Sequence, residues 1–340
     1  MKPKRGRVMR QQPTEPPDTD GMQFACCING DGSATAKSWP DVEAWSESHH
    51  GLWVHLNKDA PRVRSWLMER SGLSEVTIEA LLTHDSRPRA FHGQYGFVTI
   101  LRGVNTNPGA EEEDMVALRM WSDGKRLITL WDEKLKTPLD IQSRLMDTRN
   151  GPKTIAELYE RLIARLTERI GLTVETLEGD LDAIEVRLET ESSPELRREV
   201  SDMRRKLADL RRYIAPQREA LGSFLAHPPE WFDDANKQRL RESADRTVNY
   251  IEEIDSAREQ AIVLKDEISN QLAESANRTL YILALISGIF LPFGFVTGLF
   301  GINVGGIPGT NNSSGFFVFC GVLLGLLVAQ IVIFKRLKWF

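Results

Sequence analysis

Leu280–Phe300 (LYILALISGIFLPFGFVTGLF) and Phe316–Phe334 (FFVFCGVLLGLLVAQIVIF) decide the fold of this chain. From Thr279 through Phe334 there is no Asp, Glu, Lys, Arg or His. Each run is close to the roughly 20 apolar residues that cross a bilayer core as a helix. A core helix of a soluble protein rarely lacks charge along its whole length, and here two successive segments do. The sequence therefore predicts two transmembrane helices at the C-terminal end, joined by the short stretch Gly301-Ile302-Asn303-Val304-Gly305-Gly306-Ile307-Pro308-Gly309.

Charge at the flanks predicts the orientation. Arg278 precedes the first run and Lys335, Arg336 and Lys338 follow the second, whereas Val304 to Gly315 carries no charge. Basic residues favour the cytoplasmic side, so both termini are expected in the cytoplasm and the loop outside. Trp339 and Phe340 would anchor the second helix at the interface. The basic Met1–Arg10 is followed by a Pro-, Thr- and Asp-rich segment without an apolar stretch, which does not read as a signal peptide. The expected location is the plasma (inner) membrane, with everything before Thr279 cytoplasmic.

Composition narrows the function. The 340 residues carry 43 Lys and Arg against 48 Asp and Glu, a net charge of −5, and no basic stripe, which argues against a nucleic-acid partner. Mean hydropathy is only −0.31 because the apolar runs sit in the last fifth of the chain, leaving a charged, water-exposed body before them. Three cysteines, Cys26, Cys27 and Cys320, cannot build a disulfide framework. Cys26 and Cys27 are adjacent in a predicted strand, so they point to opposite faces and cannot grip one metal together. No phosphate-binding glycine loop, nucleophile elbow or His-Glu-x-x-His spacing occurs, and an enzyme is not expected.

The body divides by pattern. Residues 1–21 read as a disordered tail. Residues 22–150 read as a cytoplasmic α/β domain, with β-rich runs at Phe24–Ile28, Trp53–Leu56, Tyr95–Arg102, Val116–Trp121 and Arg126–Trp131. Ser122-Asp123-Gly124-Lys125 turns a hairpin between the last two, and helices are predicted over Arg62–Arg70 and Ser74–Thr83. Residues 151–234 form long amphipathic helices, broken at Ser192-Ser193-Pro194 and His227-Pro228-Pro229. Residues 235–303 are one stalk helix continuing into the first transmembrane span, 304–315 the external loop, 316–334 the second span and 335–340 a cytoplasmic end.

The stalk carries apolar residues at heptad spacing: Ile254, Ala261, Ile268 and Ile282 in one row, Ile251, Leu272 and Thr279 in the other, the latter interrupted by Arg258 and Lys265. Such a seam suits either a wide, wet-centred bundle of copies or packing on the preceding helices of the same chain.

In the first span, Asn277, Leu280, Ala284, Ser287, Leu291, Gly294 and Gly298 fall at spacings of three and four and form one small, polar face. Glycines alone would suit close helix packing. With Asn277 and Ser287 on the same face, and Gly301, Ile302 and Asn303 at its outer end, the stripe reads as a water-lined path. Two helices cannot enclose a pore, so several subunits must. The path holds no carboxylate, imidazole or thiolate to replace a cation's water, so the ion should pass hydrated. A ring of Asn303 amide oxygens would accept hydrogen bonds from its water shell and disfavour anions. Pro292 would loosen the helix, and Leu280 and Leu291 are the candidate dewetting constrictions.

This hairpin, preceded by a long helix and an α/β domain, resembles the CorA superfamily of divalent metal ion transporters, whose signature here is Gly-Met-Asn. Ile302 replaces the Met, and the uncharged loop, without the acidic residue of CorA proper, is similar to the ZntB branch associated with zinc. Ser86-Arg87-Pro88-Arg89, Arg212-Tyr213-Ile214-Ala215-Pro216-Gln217-Arg218 and Lys338-Trp339 extend the likeness. The resemblance implies a funnel-shaped homopentamer in the bilayer, with the long helix and first span around the pore and the second span outside. It implies Zn2+ as the transported ion, with Mg2+, Co2+, Ni2+ and Cd2+ as further candidates, and no cofactor.

Weaker candidates stay unassigned: the acidic face Asp180, Asp182, Glu185 and Glu189, and the pair His49-His50. The competing readings are a Mg2+/Co2+ channel of CorA type and, from another class, a membrane-tethered cytoplasmic scaffold or sensor.

Overall fold

Seven strands pair into one sheet in the order β2-β1-β3-β7-β6-β5-β4: β1 Met22–Ile28, β2 Ala34–Ala36, β3 Gly51–Asn57, β4 Arg89–His92, β5 Phe97–Gly103, β6 Val116–Ser122 and β7 Arg126–Trp131. β3 and β7 run parallel, with Val54 opposite Ile128, and the other pairs are antiparallel. The computed structural model describes residues 20–47, 50–84, 87–111, 113–147, 150–190, 193–301 and 314–336. Its two compact units divide between Lys265 and Asp266.

Every residue of β5 and β6 is buried, because helices cover both faces of the sheet. Val98, Ile100, Trp121 and Ile128 meet α1 (Trp39–Glu43), α2 (Pro61–Glu69) and α3 (Glu75–Leu82) on one face. Phe97, Leu101, Leu118 and Met120 meet α5 (Ile155–Leu188) and α6 (Pro194–Ala226) on the other, where Tyr159, Phe224 and Phe232 pack ring against ring. Cys26 lies in the second core and Cys27 in the first, on opposite faces as strand alternation requires. Burial pushes the Cys26 thiol up to about 12, which keeps it protonated.

The hairpin at Ser122–Lys125 forms as its sequence predicts. Asp123 Oδ1 accepts from the amides of Lys125 and Arg126, and Gly124 adopts φ 86°. Trp231 packs within 2.5 Å of where a Gly124 side chain would start, so the turn requires glycine twice over. Four elements have no counterpart in the sequence reading: β2, β4, α1 and α4 (Lys136–Asp147). The two strands are the sheet's short edges, where Ala34-Thr35-Ala36 and Arg89–His92 pair without apolar alternation, and α1 spans little more than one turn.

The long helices match their predicted breaks closely. α7 runs from Asp234 to Gly301 without interruption, about 100 Å at 1.5 Å per residue, and α8 spans Gly315–Arg336. Among the described residues these are the two helices long and apolar enough to cross a membrane, and their apolar windows are unburied.

The centre of the sheet holds a polar network. Thr129 Oγ1 donates to the Val54 carbonyl (3.0 Å) and accepts from Trp53 Nε1 (3.0 Å), so His55 Nδ1, 2.8 Å away, must be its second donor. His55 is therefore the Nδ1–H tautomer, and its bare Nε2 is buried without a partner. Burial lowers its pKa to about 3. The folded chain thus binds fewer protons than the unfolded one between about pH 6.5 and 3, and its stability falls as pH drops through that window, by up to about 1.4 kcal/mol per pH unit. His55→Asn keeps a donor to Thr129 and removes the titration. Unfolding of purified wild type and variant at pH 7 and pH 5 should show a smaller acid loss in the variant. An equal loss in both would reject this assignment.

Candidate functional site

The first membrane-length segment has two distinguishable faces. Leu285, Gly288, Ile289, Pro292, Phe293 and Val296 are half-buried and share one side of α7. That side meets α8: Gln330 Nε2 donates to the Gly288 carbonyl (3.2 Å), Phe334 lies against Gly288, and Phe300 and Phe319 pack with ring centroids 5.1 Å apart. Gly288 lets α8 approach, as small residues do where helices pack in lipid. Asn277, Leu280, Ala284, Ser287, Leu291, Gly294 and Gly298 are all exposed on the opposite side. At 100° per residue the two groups stand roughly 150° apart. Gly301 ends α7 and is exposed. Ile302, Asn303 and the loop to Ser313 lie outside the described residues.

The heptad seam packs within the chain. Ile254 and Ala261 are fully buried and Ile251 nearly so. In the larger unit, α7 meets α6 through Arg211, whose Nε and Nη2 bind Asp255 at 2.6 and 3.0 Å. It meets α5 through Gln260, which donates to Glu185 (2.7 Å) and Asp182 (3.4 Å). A side chain on Gly171 would collide with the Tyr250 ring, another close α5–α7 approach. This excludes the bundle reading for the seam up to Ala261, because short breaks fold α5, α6 and α7 together before any second copy is needed. Arg258 does not interrupt an intersubunit row: it is half-buried and bonds Asp255 at 3.2 Å. Ile268, further along the first row, is buried as well, whereas Ile282 and Thr279 are exposed.

The face of α7 opposite the seam is the informative one. Asn249, Glu252, Ser256, Glu259 and Val263 are exposed, and their spacing of three and four residues leads through Asp266, Asn270 and Ala273, also exposed, to Asn277. The stripe predicted in the first span is therefore the end of a longer row along one helix face, acidic and polar before Arg278 and uncharged after it.

Other candidates separate. Asp182 and Glu185 are occupied by Gln260, while Asp180 and Glu189 face solvent, and no group of three or more His, Cys, Asp or Glu is arranged to hold a metal among the described residues. Glu178, on the same helix, has its pKa raised by desolvation and by Glu253, Asp182 and Glu175. His49 lies outside the described residues, while His50 is exposed and its carbonyl accepts from Trp45 Nε1 at 3.2 Å.

A model of the family described as CorA-like Mg2+ transporter protein matches residues 48–336. The chain belongs to that CorA family. Over 332 residues, 96% of this chain and 99% of the relative, it is 36% identical to the divalent cation transporter CmaX of Pseudomonas aeruginosa. Over 312 residues, 92% and 94% of the two chains, it is 31% identical to the zinc transport protein ZntB of Yersinia enterocolitica. The solved structure of full-length CmaX superposes with a TM-score of 0.83 at 35% identity, covering 96% of this chain and all of that one. The CorA magnesium transporter of Methanocaldococcus jannaschii shares the fold at TM-score 0.77 and 16% identity, over 93% and 98% of the two chains. The family consists of transporters, which removes the enzyme alternative.

The structure explains one CorA-like motif that the sequence reading left without a role. Gln217 is fully buried, its Oε1 accepting from the Arg102 amide (2.9 Å), and the Tyr213 ring stacks on the Arg102 guanidinium at 4.8 Å. Residues 212–218 thus clamp α6 onto β5. A charge cluster at the carboxyl ends of β3 and β7 gave no sequence signal, since its members are remote in sequence. There Arg119, completely buried, bonds Asp132 (3.1 Å) and the Thr83 carbonyl, and Lys58 Nζ lies 2.9 Å from His84 Nδ1. Burial raises the Asp132 pKa, but the charge and hydrogen bond of Arg119, with Lys58, outweigh it and hold the carboxyl below its usual range.

The two faces of α7 predict different reactivity. With Cys320 replaced by Ser, Val263→Cys should react readily with a water-soluble maleimide, followed by gel or mass shift, whereas Ala261→Cys should be protected. Equal rates would mean that the seam opens in solution.

Proposed function

We propose that this CorA-family chain transports hydrated divalent cations, Zn2+ foremost, through a homopentameric pore lined by α7. The observation that carries the reading is the row on α7 from Asn277 to Gly298, mostly small or polar, which is exposed and lies opposite the face covered by α8. A helix with one unpartnered polar face in hydrocarbon is stable only where that face meets water or further protein, and a ring of copies supplies both. Asn277, Leu280, Ala284, Ser287, Leu291, Gly294 and Gly298 line the path, and Gly301, Ile302 and Asn303 form its outer mouth. Leu280 and Leu291 close it by dewetting when the ring narrows. The termini lie on the cytoplasmic side of the inner membrane, in keeping with Arg278, Lys335 and Arg336.

The names of relatives support the ion class: zinc for ZntB, divalent cations for CmaX. The uncharged loop favours Zn2+. The family description favours Mg2+ as the second reading, with Co2+, Ni2+ and Cd2+ as further ions of the class. No Asp, Glu, Lys, Arg or His lies on the first span, so any coupling to protons acts through water or outside it.

Purified protein in detergent should be pentameric by native mass spectrometry, and in liposomes it should pass Zn2+ in preference to Mg2+. Asn303→Ala should lower flux steeply while the pentamer and its unfolding temperature persist. Asn303→Asp places up to five carboxylates at one constriction, where they repel one another and raise their pKa values, and the ionised members hold Zn2+ more tightly and release it slowly. Near-normal flux in Asn303→Ala would move the selectivity role to Gly301 and the loop backbone. Absence of flux for every divalent cation tested would favour the scaffold reading instead.

A further inference from the structure

A small cavity of about 30 Å3 opens between α4 and the first half of α5, and its polar lining is strongly cationic: Arg144 from α4, Arg161 and Arg165 from α5, with Asn150 beside them. Arg161, Arg165 and Arg169 follow at steps of four and so stand in one row on α5, an arrangement of like charges that destabilises a helix unless something else compensates it. The compensation of this row within the chain is incomplete. Asp140, which also lines the cavity, is engaged by Arg169, and exposed Glu168 pairs with Arg165 at 2.6 Å. Among the described residues Arg161 makes no ion pair. The neighbouring carboxylates are used elsewhere: Glu157 accepts from the Lys153 amide (2.7 Å), and Glu160, which feels the Arg161 charge, is turned to Arg239 of α7 (3.3 Å). The three guanidinium groups of the row thus meet two carboxylates, in a chain whose net charge is −5.

A second observation points the same way. The Nε atoms of Arg165 and Arg169 are both buried without a hydrogen-bond partner. Buried donors on charged groups are costly to leave unmade, and Arg165, which bears one of the two, lines the cavity. Guanidinium groups match tetrahedral oxyanions through paired N–H donors. The cavity has room for about two water molecules, whose share of liquid volume is on the order of 60 Å3. That is the bulk of one tetrahedral oxyanion and too little for a sugar or base.

We propose that this pocket binds a phosphate-class oxyanion, either free inorganic phosphate or the terminal phosphate of a nucleotide whose remainder stays in solvent, with Arg161 and Arg165 as the principal donors. The bound anion would tie α4 to α5. The assignment is independent of the transported ion and of the number of subunits.

Isothermal calorimetry on the full-length protein in detergent, at constant ionic strength, tests it with inorganic phosphate, AMP and chloride as probes. Saturable binding of phosphate or AMP, weakened at least about tenfold by Arg161→Gln and by Arg165→Gln and unchanged by Arg204→Gln on α6, is the expected result. Should a Gln variant fail to fold, Arg161→Lys keeps the charge and loses the paired donors, and should still weaken binding. Tighter binding of AMP identifies a nucleotide site, and tighter binding of phosphate identifies the free ion. Absence of saturable binding, equal competition by chloride, or unaltered binding in the folded Arg161 and Arg165 variants would each overturn the proposal.

Discussion

The packing of one side of α7 against α5 and α6 is the contact on which the remaining organisation rests. A helix this long is not held in water by its own hydrogen bonds. Ile251, Ile254 and Ala261 supply the apolar part of that contact, and Arg211–Asp255 with Gln260 on Glu185 fix its register. The ion pairs contribute little stability, since the side chains of Arg211 and Asp255 are 42% and 38% exposed and solvent screens them. Their effect is directional: they decide which face of α7 is turned inward. Once that face is committed within the chain, the row from Asn249 to Val263 is left exposed. The same logic recurs where α8 covers Gly288 and leaves Ser287 and Leu291 open.

The sheet domain does a complementary job. Its core strands are buried on both faces, so helices must cover them, and α5 and α6 do so with the ends that bear Tyr159 and Phe224. The other ends of these helices are thereby free to reach α7. Two hydrogen bonds join buried polar groups at this junction: Tyr159 donates to Thr99, and Gln217 Oε1 accepts from the Arg102 amide. Arg119, wholly enclosed, is tolerated because Asp132 and a carbonyl meet it, and removing Asp132 would leave the guanidinium charge stranded.

Periodicity makes the long helices legible, because Pro194, Pro228 and Pro229 interrupt a pattern that is otherwise sustained over tens of residues. The hairpin at Gly124 is legible because a four-residue turn of Ser, Asp, Gly and Lys has a specific local chemistry. What escapes depends on partners remote in sequence. A heptad row does not say whether Ile254 meets another copy or α5 and α6, and the structure decides for the latter. β2 and β4 are edges whose residues, Ala34–Ala36 and Arg89–His92, lack the alternation that marks a half-buried strand. Arg161, Arg165 and Arg169 are visible in the sequence only as charge on a helix, and it takes α4, which has no counterpart in the sequence reading, to make a cavity beside them. The stripe from Asn277 to Gly298 is one exposed face of α7, and its continuation toward Asn249 emerges only from the burial pattern. Asn303 lies outside the described residues, so its role rests on sequence and on the pore reading.

The distribution of charge along that continuous row has a physical consequence on the pore reading. Glu252, Glu259 and Asp266 recur at steps of seven on the water-exposed part of α7, and no carboxylate follows Glu274 on this helix. Repeated around a ring, such residues would concentrate divalent cations near the pore through their summed field, without the close ligation that strips water from an ion. Beyond Arg278 the row offers only amide, hydroxyl, backbone and apolar groups, which can hold a hydrated ion but cannot bind it tightly enough to stop it. Attraction and passage are thus assigned to different lengths of one helix. An ionised carboxylate within the span would merge the two and, in a dry constriction, would have to be neutralised or permanently occupied. On the pore reading, the uncharged stretch from Thr279 to Phe300 is therefore the part of this helix least able to accept a charged substitution and still conduct.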